Sequence, residues 1–324
     1  MAAKVPAFES KENCLTGQSS GRSALARSRG GCILCSLKED AEKLFDTYTA
    51  EAPARQSELY MQAWEIVREA LALAAPHATS DLSAFNGALA AFVTPGPSDL
   101  SAVPEERRPM MTKLSDTAAS YERLVEPNLL SWGTRYRTLN RPLGAFFCGI
   151  SLWPRCTVDV PNLTLYFGSG SAVNPDRVFM RLEMVPRVDT DTDAGYARRY
   201  YELFNARYFE FVKDEQFEPY VSESAYARGA QAPSGLRYFF DGTERNMAIA
   251  RAAVVEYATT WAEFNQMASP LSADESEAIS VRDALIRRVA ADESPDNANR
   301  ELVFGKETFK RTKAVLAGDE SVRL

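Results

Sequence analysis

Few side chains in this chain are arranged for catalysis by their spacing alone. Five cysteines include one close pair, Cys32 and Cys35, at the C-x-x-C spacing used by zinc ribbons and dithiol redox centres. A structural zinc site needs four ligands, and the only histidine, His77, stands far along the chain in an Ala-Pro-rich turn, so no metal centre is expected. That lone histidine also leaves a Ser-His-Asp or Cys-His mechanism without a well-placed base. No G-x-G-x-x-G follows a strand, and neither a Walker A loop nor a G-x-S-x-G elbow occurs. Asn162-Leu-Thr164 spells a glycosylation sequon but opens an apolar strand and reads as chance. Any chemistry must therefore come from carboxylates, phenols and cations that the fold brings together.

The totals describe a chain that can fold and rule out several partners. With 324 residues, 45% hydrophobic and 10% aromatic, it has ample material for a packed core. A net charge of −7 argues against a general nucleic-acid binder, which needs clustered Lys and Arg. No run approaches the roughly 20 apolar residues of a membrane span. An odd, sparse set of cysteines favours a reducing compartment. Residues 1–35 form a tail that is rich in Ser and Gly, with Arg22, Arg27 and Arg29 and few acids. It reads either as an organelle transit peptide or as an ordinary disordered terminus. One domain is expected over residues 36–324.

The elements that must position any site follow from periodicity. From Ser36 to about Tyr121 the spacing of Leu59, Met61, Trp64, Ile66, Val67 and Leu71, broken by prolines, predicts helices. Between Asn128 and Pro186 the period changes to two, with strands at Gly144–Leu152, Asn162–Gly168 and Arg177–Val185. Their short connections make antiparallel neighbours. One face takes Leu163, Leu165, Phe167, Val178, Met180, Leu182 and Met184, and the other takes Thr164, Tyr166, Phe179, Arg181 and Glu183. The first face is core; the second is either solvated or roofed. An aromatic stripe predicts a helix from Asp193 to about Asp214, and Thr243 caps a helix carrying Met247, Val254, Tyr257, Trp261 and Phe264. Further helices near Val281–Ala290 and Gly305–Leu316 flank an extended link, Asp292–Arg300. Helices before and after a sheet imply a three-layer α/β/α sandwich with a central, mainly antiparallel sheet.

The stretch Tyr220–Pro233, YVSESAYARGAQAP, with these strands before it and the capped helix after it, resembles the superfamily of ferredoxin-dependent bilin reductases and red chlorophyll catabolite reductase. The resemblance runs from about Gly144 to Leu316. It includes VDVPNLTLYFG, similar to an Asp-x-Pro strand, RLEMVPR, similar to the strand that follows it, and ELVFGKETF, similar to a Phe-Gly turn into a helix. It implies an oxidoreductase without bound flavin or metal that holds an open-chain tetrapyrrole between sheet and C-terminal helices. Such an enzyme takes single electrons from reduced ferredoxin and protons from acidic side chains. A plastid stroma is the implied compartment, with the cytoplasm as the alternative.

Carried onto this chain, the resemblance implies catalytic roles for Asp296, Glu183 and Tyr166, and pigment contacts from Arg228, Gln231, Ser151, Thr164 and Arg181. Tyr166 stands where the family has a protonating acid, and a phenol is a weaker donor than a carboxyl raised by burial. Lys306, Lys310, Arg311 and Lys313 would meet an acidic ferredoxin. Each position also has an ordinary reading. Arg228 pairs with Glu223 or caps a helix, Asp296 is a solvated turn residue, Glu183 sits in an ion pair, Tyr166 packs in the sheet, and the basic cluster is a solvated face. A binding or carrier protein on the same fold is the competing function, and a helical interaction protein without a small ligand is a third.

Overall fold

Strand alternation places the apolar side chains of successive strands on one continuous face. The structure, a computed structural model, describes residues 54–74, 86–94, 117–124, 128–140, 144–169, 176–294 and 297–319, together with 105, 108, 109 and 174. The strands are β1 (Asn86–Thr94), β2 (Thr117–Leu124), β3 (Leu130–Asn140), β4 (Ala145–Pro154), β5 (Asn162–Ser169), β6 (Arg177–Val185), β7 (Glu218–Pro219) and β8 (Leu236–Asp241). They form one sheet in the order β1-β2-β3-β4-β5-β6-β8-β7, with every neighbouring pair antiparallel. The first six strands are a meander, and β8 joins the edge at β6 after an excursion through helices.

The core face is the one expected. Leu163, Leu165, Phe167, Val178, Met180 and Leu182 are fully buried there, joined by Cys148, Ile150 and Leu152 of β4. Helix α1 (Ala54–Ala74) lies on it through Leu59, Tyr60, Ala63 and Val67, packed against α5 (Glu244–Met267) and its buried Met247, Val254, Tyr257 and Trp261. The Thr243 side chain caps α5 by accepting from the Asn246 amide, and the Trp261 indole donates to the Pro161 carbonyl at 2.9 Å. The stripe expected from Asp193 onward forms α2 (Ala194–Tyr201), a short 3-10 turn and α3 (Asn205–Lys213). It buries Tyr196, Tyr200, Phe204 and Phe211 but leaves Leu203 exposed.

The second face is roofed over part of its area. Helices α6 (Ala273–Asp292), α7 (Asn297–Phe304) and α8 (Lys306–Ala317) follow α4 (Ala225–Gly229), β8 and α5. Phe304 of α7 packs on Ala119 and Tyr121, and Val315 of α8 on Trp132 and Trp153. The sheet thus has helices on both sides, the expected α/β/α sandwich.

Two readings of the sequence are corrected. The stretch before Tyr121 is not helical throughout, because β1 and β2 lie within it. Their Ala-rich sequences, NGALAAFVT and TAASYERL, carry little intrinsic strand preference; β2 becomes a strand by pairing with β3, and β1 by pairing with β2. The link Asp292–Arg300 is not wholly extended: α6 runs to Asp292 and α7 starts at Asn297, whose amide caps α6 through the carbonyls of Ala291 and Asp292. The N-terminal segment, Cys32, Cys35, His77 and Asp296 lie outside the described residues. Among the described residues, no helix is long and apolar enough to cross a membrane, and no cluster of His, Cys, Asp and Glu could hold a metal ion.

Candidate functional site

A row of aromatic rings crosses the second face of the sheet. Tyr121 stacks on Tyr136 with centroids 5.6 Å apart, Tyr136 meets Tyr166 at 5.9 Å, and Tyr166 meets Phe179 edge-on at 5.5 Å. Phe179 continues to Phe239 and Tyr220, each at 5.1 Å, and Phe147 flanks Tyr166 at 6.4 Å. Strand register explains the row, since Tyr121, Tyr136, Gly149, Tyr166 lie directly opposite one another across β2 to β5. Gly149 lets the Tyr136 ring lie flat across β4, for a Cβ there would sit 2.6 Å from the ring. Gly168 gives the Phe147 ring the same space.

The roof divides this face. Tyr121, Trp132 and Trp153 are buried under α7 and α8, whereas Tyr136, Tyr166, Phe179, Phe239, Tyr220, Ser151 and Thr164 are half-buried. Helix α4 stands at the open side, and its Tyr226 feels both Arg181 on the floor and Glu293 at the end of α6. Burial pushes the Tyr136 phenol well above its ordinary range; Tyr166 adds to this and the Arg300 cation opposes it. The floor therefore offers neutral hydroxyl groups and ring faces, a surface that suits a flat conjugated ligand with hydrogen-bonding edges.

Charge enters at one edge. Glu183 is fully buried and bonds two arginines: Nε of Arg181 at 2.6 Å, and Nε of Arg237. Gly235 clears room for this carboxylate, because a side chain there would meet Glu183 Oε1 at 2.8 Å. Arg237 also donates to the Ala227 carbonyl of α4 at 2.9 Å. The network ties β6, β8 and α4 together, so Glu183 takes the ion-pair role through Arg181 and Arg237.

The other residues singled out in the sequence fall into three places. Tyr166, Thr164, Ser151 and Arg181 share the open face, with Thr164 directly across from Ser151 on β4 and from Glu183 on β6. Ser151 Oγ accepts from the Trp153 indole at 3.1 Å. Arg228 and Gln231 lie in and just after α4, both exposed. Arg228 Nη1 donates to the carbonyls of Ser222 and Glu223 at 2.7 and 2.9 Å, closing the turn onto its backbone and leaving the Glu223 carboxylate out of the contact. Gln231 reaches the Gly235 carbonyl at 3.5 Å. Lys306, Lys310 and Arg311 are exposed on α8, and Lys313 pairs with Asp292 at 2.7 Å. Sequence reasoning passed over Tyr136, Gly149, Arg237 and Phe239, and it gave Tyr220 no place on the floor although it opens the YVSESAYARGAQAP run. The alternating WGTRYRT of β3 was the available signal for Tyr136.

No family model matches this chain, and no curated protein matches it in sequence. Among solved structures, the chain is similar to the crystal structure of phytochromobilin synthase from tomato in complex with biliverdin. The TM-score is 0.56 at 12% identity, over 80% of this chain and 84% of that one. At that identity the likeness establishes a shared three-layer fold.

Proposed function

We propose that this protein binds an open-chain tetrapyrrole on the aromatic face between the sheet and helices α6–α8, and reduces it with single electrons from reduced ferredoxin. The observation that carries the reading is the floor from Tyr136 through Tyr166 and Phe179 to Phe239, half-open and edged by Arg181, on a fold whose biliverdin-bound counterpart is phytochromobilin synthase. A bilin is a flat conjugated chain with lactam ends and carboxylate arms. Ring faces, phenol hydroxyls and a guanidinium answer those features in turn.

Reduction of one double bond takes a pair of electrons and a pair of protons, and the residues here bear on the protons. Tyr166 and Tyr136 can hydrogen-bond a lactam oxygen, and Asp296 is the remaining carboxyl assigned to proton delivery. No flavin or metal takes part in this scheme. The basic side chains Lys306, Lys310 and Arg311 on α8 suit an acidic electron donor. The Arg-bearing segment 1–35 suits import into a plastid, where ferredoxin is reduced.

Binding without reduction is the second reading. Its support is the placement of Tyr166 at the centre of the floor with Glu183 committed to two arginines. Titration with biliverdin, followed by absorbance, tests the ligand class. Saturable binding with an altered spectrum is expected, and an unchanged spectrum at stoichiometric protein overturns it. Adding reduced ferredoxin to the complex then separates the readings: bleaching of the long-wavelength band marks a reductase, and a persistent complex marks a carrier.

A further inference from the structure

Arg181 and Arg237 are direct cross-strand neighbours on β6 and β8, an arrangement in which like charges repel. Glu183, on the same face, bonds both. Two guanidinium cations against one carboxylate leave one net positive charge, in a network whose Arg237 and Glu183 side chains are 5% and 0% exposed. That surplus reaches solvent at Arg181, 34% exposed, which lies directly across from Tyr166 at the edge of the aromatic floor. Glu183 occupies Nε and Nη2 of Arg181, and among the described residues Nη1 has no hydrogen-bond partner. Glu293 acts on Tyr226 at this rim, and among the described residues Arg181 pairs with Glu183 alone.

We propose that Arg181 is the anchor for a carboxylate of the ligand and that Arg237, acting through Glu183, is its positioning residue. The proposal rests on the tetrapyrrole reading and deepens it: the site selects a flat conjugated acid over the same chromophore with its carboxylates masked. A guanidinium already clamped on one side loses little further freedom on binding, so the charge-assisted bond at Nη1 keeps more of its strength. The ligand carboxylate would also neutralise the surplus charge of a partly buried network. Arg237 has a second tie, to the Ala227 carbonyl, which holds α4 and Tyr226 beside the same anchor.

The test compares biliverdin with its dimethyl ester, which keeps the chromophore and removes the carboxylates. Wild type should favour the free acid by about tenfold or more, the size of one charge-assisted hydrogen bond. Arg181→Met should bind both alike. Arg237→Met alone leaves one oxygen of a buried carboxylate without its partner and can fail to fold, so the decisive variant is Glu183→Gln with Arg237→Met. It keeps Arg181 and one net positive charge but removes the brace. Loss of most of the acid preference in this double variant, with ester affinity unchanged, supports positioning; Arg237→Lys should keep part of the preference. An undiminished preference in the double variant overturns the role of Arg237. Equal binding of acid and ester by wild type overturns the anchor while leaving the aromatic face as a tetrapyrrole site, and binding of neither overturns both.

Discussion

The Arg187 guanidinium and the Asp283 carboxylate meet at 2.6 Å with both side chains withdrawn from solvent, joining the end of β6 to the middle of α6. The pairing is two-pronged, Nε to Oδ1 and Nη2 to Oδ2. Nη1 of Arg187 reaches the carbonyls of Val158 and Arg155, and Asn162 approaches Asp283 at 3.5 Å. The asparagine of the apparent sequon is therefore a buried member of this cluster. Burial pushes the Asp283 carboxyl above the ordinary range, with Arg187 opposing.

Asp283→Ala should lower stability by about 3–5 kcal/mol, because it leaves a buried arginine unpaired. Replacing the pair together by Arg187→Met and Asp283→Leu should recover most of the loss, since desolvating two charges offsets much of their attraction. Urea unfolding of the single and double variants measures both. A single variant within about 1 kcal/mol of wild type would mean the tether does not hold the roof.

Gly149→Ala should lift the Tyr136 ring off β4. The added methyl would lie 2.6 Å from that ring, and overpacking of this kind typically costs about 1–3 kcal/mol. If Tyr136 is part of the binding floor, biliverdin affinity falls as well. Combining Gly149→Ala with Tyr136→Leu should then cost less than the sum of the two changes. Strict additivity would show that the ring is not the obstacle.

High pH should unfold the protein earlier than its carboxylates and lysines alone would require. Burial raises the phenols of Tyr196, Tyr201 and Tyr257 far above the ordinary value near 10, and pushes Tyr238 up to about 12. A raised folded-state value means the folded chain holds these protons more tightly than the unfolded one. Their contribution is fully present below about pH 10 and is lost as pH rises through the folded values. The urea midpoint should fall steeply between about pH 10 and 12, with tyrosinate absorbance rising in step with unfolding. Phenols that ionise while the chain stays folded would contradict this.

How far the sequence could be read depended on whether each segment's own pattern matched its final surroundings. Leu163 to Met184 alternate strictly and pack as their period demands, and Thr243 caps its helix as its position suggests. Strand β2 could not be recognised, because TAASYERL becomes a strand only beside β3. Strand β8 was hidden for another reason: LRYFFD is short, and its alternation is blurred by aromatics on both faces. Since Arg237 sits in β8, the second arginine on Glu183 was out of reach as well. Tyr166 was placed on the correct face, yet its neighbour Tyr136 comes from a strand thirty residues earlier, and only the register through Gly149 joins them.

If ferredoxin is the electron donor, its approach should depend on charge. Neutralising Lys306, Lys310 and Arg311 together should slow ferredoxin-supported reduction and flatten its salt dependence, because exposed charges are screened over about 8–10 Å at physiological salt. Biliverdin affinity should stay at the wild-type value. A reduction rate indifferent to both charge and salt would point to another docking face.

Proton delivery separates enzyme from carrier, and two carboxyls bear on it differently. Glu183 has both oxygens engaged by arginines in a buried network, so Glu183→Gln should act mainly by loosening Arg181, weakening ligand binding more than the rate at saturation. In the proposed reduction Asp296 is the proton donor, and on that proposal Asp296→Asn should slow turnover at saturating pigment by roughly a hundredfold while leaving binding and unfolding midpoint unchanged. Tyr166→Phe should fall between these, removing one hydroxyl from the floor without disturbing the ring contacts to Phe179 and Tyr136. Single-turnover absorbance with reduced ferredoxin resolves the step. Normal rates in Asp296→Asn, paired with a deep loss in Tyr166→Phe, would shift the proton source to the phenol at the centre of the sheet; normal rates in both would leave bulk water as the donor.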